Sequence, residues 1–130
     1  MSYKLTVPET DVFGDHKYQN DKGHTECVVF IQQATAAPGT SDWSPGKKVS
    51  DAKPGEIARG TAIATFDAQG NYPSDALGRH AAIYLLHDKN GIHVLDQWNS
   101  QGQVLPRVIR FKVPGGTRRS NDGNTFYVIE

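Results

Sequence analysis

An α+β domain, one main helix followed by an antiparallel sheet, is what this chain predicts, on three observations. Cys27, Phe30, Ile31 and Ala34 follow the i, i+3, i+4, i+7 spacing of a single helical face. The later apolar segments are short, alternate in polarity or carry β-branched residues, and are separated by Gly, Asn and Pro turn signals. The chain has 130 residues, enough for one domain that buries about two thirds of its unfolded surface. A single domain over residues 1–130 is therefore expected.

Taken in order, residues 1–25 are polar and irregular. Thr25 is the expected N-cap, which puts Cys27 in the first helical turn, and the helix is expected to end near Ala37-Pro38-Gly39. Residues 41–46 (SDWSPG) read as a short helical turn or a loop, and Pro54-Gly55 as a turn. GTAIATF, residues 60–66, is the first expected strand, and a loop of about twelve residues follows it. RHAAIYLLH (79–87) and IHVLDQW (92–98) flank the turn signal DKNG and predict an antiparallel hairpin. RVIRFKV (107–113) and TFYVIE (125–130) complete an expected meander.

Composition narrows the functional classes. Lys plus Arg and Asp plus Glu both total 14, so net charge selects neither nucleic acid nor an anionic membrane as partner. With 37% hydrophobic residues, the chain offers no apolar run long enough for a membrane span. The Arg107, Arg110, Arg118, Arg119 cluster reads as a local solvated face. A single cysteine excludes an internal disulfide and CxxC metal sites. His16, His24 and His87 read as surface residues, and His16 and His24, even with Asp15 and Asp21 nearby, match no ligand spacing. No metal or cofactor is expected. The N-terminal stretch MSYKLTVPETDVFG shows no signal-peptide pattern.

Cys27 carries the chemistry. A lone cysteine is by default a small buried side chain, since a thiol of pKa about 8.5 is little ionised at neutrality. Its place in the first turn changes that reading, because unpaired amides and the positive end of the helix dipole stabilise a thiolate. His80, heading an apolar strand, supplies an acid-base group within topological reach. Glu26 is the awkward neighbour: a carboxylate beside a thiolate raises the thiol pKa unless its side chain turns away.

At these residues the sequence resembles CHAP amidases and NlpC-type peptidases. GHTECVVFIQ is similar to their nucleophile helix, GRHAAIYL to their histidine strand, and VLDQW to the strand that carries the third polar residue. GTAIATF matches the preceding strand in position, with Thr61 or Ala62 where those families carry an aspartate. The order spans residues 23–98, and the whole also resembles small bacterial amidase effectors delivered by type VI secretion. The resemblance implies a papain-like fold and attack of the Cys27 thiolate on an amide carbonyl. His80 then protonates the leaving amine and, once neutral, activates water. The backbone N–H of Cys27 is the expected oxyanion donor; Tyr18, Gln19 and Asn20 lie at suitable sequence distance for a second.

The residue that orients His80 depends on hairpin parity. A turn of three or five residues sets Asp96 on the face of His80, whereas one of four sets His93 there. The CHAP resemblance favours Asp96 and the NlpC resemblance His93; Asp96 is preferred and His93 is the alternative. Tyr72, in the long loop before His80, with Trp98 and Trp43, are the candidate substrate-binding residues, both tryptophans also suiting core or edge positions. The resemblance supplies the substrate, amide bonds in the peptide stems of bacterial peptidoglycan. It also supplies the setting: the producer's cytoplasm, export by a dedicated apparatus into a target periplasm, and an immunity protein as partner. A non-catalytic binding module predicts a Cys27 no more reactive than a free thiol. A cysteine hydrolase or deamidase acting on another amide predicts no release of stem fragments from sacculi.

Overall fold

The computed structural model describes residues 2–130. One α-helix, α1 (Cys27–Ala34), precedes six strands: β1 (Pro45–Lys48), β2 (Ala62–Thr65), β3 (Ala81–His87), β4 (Gly91–Asp96), β5 (Leu105–Arg110) and β6 (Phe126–Ile129). They form one sheet in the order β1-β6-β2-β3-β4-β5, every pair antiparallel. No helix among the described residues is long and apolar enough to cross a membrane.

The strand alternation seen in the sequence divides two cores. Ala62, Ala64, Ala81, Ile83 and Leu95 face α1 and pack with its Phe30, Ile31 and Ala34. Ile63, Ala82, Tyr84, Ile92, Val94, Ile109 and Phe126 face the other side, covered by Val49, Ala52 and Ile57. Because both faces are buried there, β2 and the first half of β3 are almost wholly apolar.

Four expectations are corrected. The sheet is a meander only from β2 to β5; β6 returns to pair with β2, between it and β1. β1 falls where a turn or loop was expected, because Pro45-Gly46 carries no apolar alternation and pairs with β6 through an irregular register. The helix stops at Ala34, short of Pro38-Gly39. There the Thr35 hydroxyl donates to the Ile31 carbonyl (2.7 Å) and accepts from Ala37 N–H (3.0 Å), drawing the backbone into an extended turn. The N-cap is Glu26, without a capping side chain. The Thr25 hydroxyl bonds instead to the carbonyls of Trp98 (3.2 Å) and Asn99 (3.4 Å). No side chain therefore occupies the first-turn amides around Cys27.

Candidate active site

Cys27 is the first residue of α1, and the Gln97 side-chain amide fixes where that helix begins. Gln97 is fully buried at the end of β4 and donates to the carbonyls of Glu26 (3.0 Å) and Tyr18 (2.9 Å). His80 comes from the residue before β3. Its backbone is held on β2 by Thr65, whose hydroxyl accepts His80 N–H (3.0 Å) and whose N–H donates to His80 carbonyl (3.0 Å).

Asp96 reaches the same place through an irregularity in the hairpin. Near the turn Leu86 pairs with His93 and His87 with Ile92, but beyond it Tyr84 pairs with Val94 and Ile83 with Leu95. Leu85 is the extra residue of a β-bulge, and it switches the register by one. The four-residue connection alone would set His93 on the face of His80; the bulge sets Asp96 there instead. His80 Nε2 lies 2.7 Å from Asp96 Oδ2, so the ring donates through Nε2 and turns Nδ1 toward the Cys27 sulfur, with which it bonds. His93 sits at the turn end of the hairpin, its Nε2 3.0 Å from Asp88 Oδ2.

The electrostatics favour a thiolate–imidazolium pair. Burial is the largest influence on Cys27 and pushes its thiol up. The His80 hydrogen bond and charge, the Ala81 amide and the Tyr72 hydroxyl together outweigh burial, and the net pKa is lowered. Burial also opposes the charged form of His80, but the Asp96 hydrogen bond and then Cys27 raise it to about 9. The Tyr72 hydroxyl lies 3.7 Å from the sulfur. Burial, then the Cys27 charge, drives the Tyr72 pKa far up, so the phenol stays a proton donor.

A cleft of about 390 Å³ opens over this group, with Cys27, His80, Tyr72 and Trp98 among its lining residues and Glu26 and Arg79 adding charge. Trp98 is 37% exposed and meets the His80 ring edge-on at 6.3 Å. Trp43 does not line it: it is buried, donates to Pro38 carbonyl (2.9 Å) and supports Tyr72 from behind with ring centroids 5.1 Å apart. None of the three residues weighed as a second oxyanion donor lines the cleft. Tyr18 packs on Phe30 (5.0 Å), Gln19 lends its carbonyl to Gln33 (3.0 Å), and Asn20 organises the turn through the amides of Lys22 and His24.

Two arginines of the expected solvated face are engaged. Arg107 donates to Asp96 Oδ2 through Nε (2.9 Å) and Nη2 (2.8 Å) while its guanidinium lies 5.3 Å over Trp98. Arg119 makes a two-pronged pair with Asp75 (3.0 and 3.1 Å). Arg110 and Arg118 are exposed as expected. His87, expected at the surface, is half-buried between the Tyr84 hydroxyl (2.6 Å) and Ala52 carbonyl (2.8 Å). Among the described residues no three His, Cys, Asp or Glu side chains converge as a metal site.

Known proteins resemble this chain over most of its length. The family model for Domesticated amidase effector 2 matches residues 7–129. A Type VI secretion amidase effector 2 protein from Salmonella typhi is 36% identical over 118 residues, covering 82% of this chain and 86% of that protein. Domesticated amidase effector 2 of Ixodes scapularis is 38% identical over 109 residues, covering 81% and 70% respectively. The solved structure of a type 6 secretion amidase effector 2 superposes with a TM-score of 0.77 at 31% identity, over 97% of this chain and 93% of that one. One helix on an antiparallel sheet is thus the papain-like α+β arrangement shared with that structure, and the chain belongs to the amidase effector 2 family.

Proposed function

We propose that the protein is a cysteine amidase that hydrolyses amide bonds in the peptide stems of bacterial peptidoglycan, acting as an antibacterial effector. The observation that carries this reading is the Cys27–His80–Asp96 array at a helix N-terminus on the floor of an open cleft. The Cys27 thiolate adds to the amide carbonyl, and the developing oxyanion takes the Cys27 N–H, with the Tyr72 hydroxyl, 3.7 Å from the sulfur, as a second donor. Imidazolium His80 gives its Nδ1 proton to the leaving amine as the C–N bond breaks, leaving a thioester. Neutral His80 then takes a proton from water, whose oxygen displaces the sulfur and releases the acid. Asp96 holds the ring in the tautomer that presents Nδ1 to the sulfur and stabilises the imidazolium.

The names of the relatives support delivery by a type VI apparatus into a target cell, and with it an immunity protein that protects the producer. The deciding experiment is mass spectrometry of sacculi digested with wild type and with Cys27→Ala. Release of stem fragments by wild type alone is expected, and identical patterns from both would overturn the enzymatic reading. No step calls for a metal, so activity is expected to survive a chelator.

A further inference from the structure

Beyond the catalytic cleft lies a second one of about 360 Å³, and the two share Arg79, His80 and Trp98; Arg107, Ser120 and Asn121 complete the second. The three guanidiniums nearest this junction differ in what they are free to do. Arg107 is committed to Asp96 and Arg119 to Asp75 and the Gly78 carbonyl (2.9 Å). Arg79 forms no ion pair among the described residues, and its one hydrogen bond is a long contact of 3.5 Å to Pro73 carbonyl.

The backbone beneath Arg79 is fixed on both sides. Gly78 has φ +107°, and a Cβ there would lie 3.0 Å from Ser120 N and 3.1 Å from Arg119 N. Arg119 N–H also donates to Leu77 carbonyl (2.9 Å), and His80 is clamped by Thr65. Only the Arg79 side chain remains to be ordered by a ligand, which lowers the entropic cost of binding. Asn121 turns its Oδ1 toward Arg107 (3.5 Å) and so keeps its NH2 as a donor, beside the Ser120 hydroxyl. Glu26, exposed on the Cys27 cleft, gives that cleft a charge of the opposite sign.

We infer that Arg79, with Ser120 and Asn121, forms a subsite for a free carboxylate of the substrate, so that the enzyme selects anionic stem peptides over their amidated counterparts. A planar two-oxygen anion matches the guanidinium fork, and the charge separation between Arg79 and Glu26 sets the direction in which the peptide lies. This rests on the amidase reading of the adjoining cleft.

The test compares cross-linked stem peptides released from sacculi with the same peptides after every carboxylate has been converted to carboxamide. For wild type, kcat/KM is expected to favour the free acid by about 10- to 100-fold, as for a charge-assisted hydrogen-bonded pair. Arg79→Gln should collapse that ratio toward one, and Arg79→Lys, which keeps charge without the fork, should fall between. Equal wild-type rates on the two peptides, or a ratio that Arg79→Gln leaves intact, would overturn the subsite. Wild type cleaving neither peptide would overturn the amidase reading instead. Calorimetric binding of both peptides to Cys27→Ala, with and without Arg79→Gln, then judges the subsite separately. A preference for the acid that Arg79→Gln removes upholds it; equal binding, or none, rejects it.

Discussion

The Cys27 pKa is lowered against the pull of its own burial, and every group that lowers it is a neighbour with a nameable effect. His80 has its pKa raised to about 9 and the Cys27 pKa is lowered, so on the proposed mechanism the reactive ion pair is favoured between the two. Alkylation of Cys27 by iodoacetamide should therefore remain fast below the ordinary thiol pKa of about 8.5, and kcat/KM should fall through a limb near 9 as His80 loses its proton. Asp96→Asn removes the charge that holds the imidazolium, so that limb should move to lower pH, with kcat down by about 10²–10⁴-fold. An unmoved limb would mean that Asp96 does not act on His80. Arg107 pulls the opposite way, because its positive charge sits on the same Asp96 oxygen. Arg107→Gln should move the limb above the wild-type value, shift Trp98 fluorescence, and destabilise the fold by about 1.5–3 kcal/mol as a buried carboxylate loses its charged donor. Neither Arg107 nor Gln97 had a role legible in the sequence. Their partners lie 11 and 71 residues away and are chosen by strand pairing and chain path.

At the level of elements, two local devices bring the three side chains together. The bulge at Leu85 puts Asp96 on the face of His80, and the Gln97 amide ties the start of α1 to the end of β4. Gln97→Leu would leave the Tyr18 and Glu26 carbonyls without that donor, at a cost of about 1–3 kcal/mol in urea denaturation. Because Cys27 follows Glu26 directly, kcat should fall with KM little changed. A loss of stability with full kcat would show that the helix start is held by packing alone. Five strands and the helix were legible because alternation and helical spacing are local signals; β1 was not, since Pro45-Gly46-Lys47-Lys48 owes its strand conformation to β6. The third residue of the array was readable only as a choice of two. Parity follows from turn length only in a hairpin without a bulge, and nothing in the residues around Leu85 announces one.

Across the whole molecule, the two cores that sandwich the sheet carry most of the stability, and the paired charges at the sheet's end add to it. Among the described residues, the two buried side-chain polar atoms that receive no hydrogen bond from the protein, Asp96 Oδ1 and Gln97 Oε1, are adjacent there. They sit beside three charged groups withdrawn from water, and at Cys27 and His80 the pairing outweighs the desolvation. A thiol whose pKa folding lowers contributes stability above its folded pKa, and a histidine whose pKa folding raises contributes stability that is lost as pH rises through about 9. Cys27→Ala deletes one partner of that pair and leaves both cores intact, so it is expected to lower stability at neutral pH by about 1–2 kcal/mol, seen as a melting temperature a few degrees lower. Phe30→Ala, on the same helix but fully buried against the sheet, is expected to lose more, about 3–5 kcal/mol. If Cys27→Ala melts above wild type, burial of the thiolate costs more than its pairing returns, and the site is held under tension by the rest of the fold.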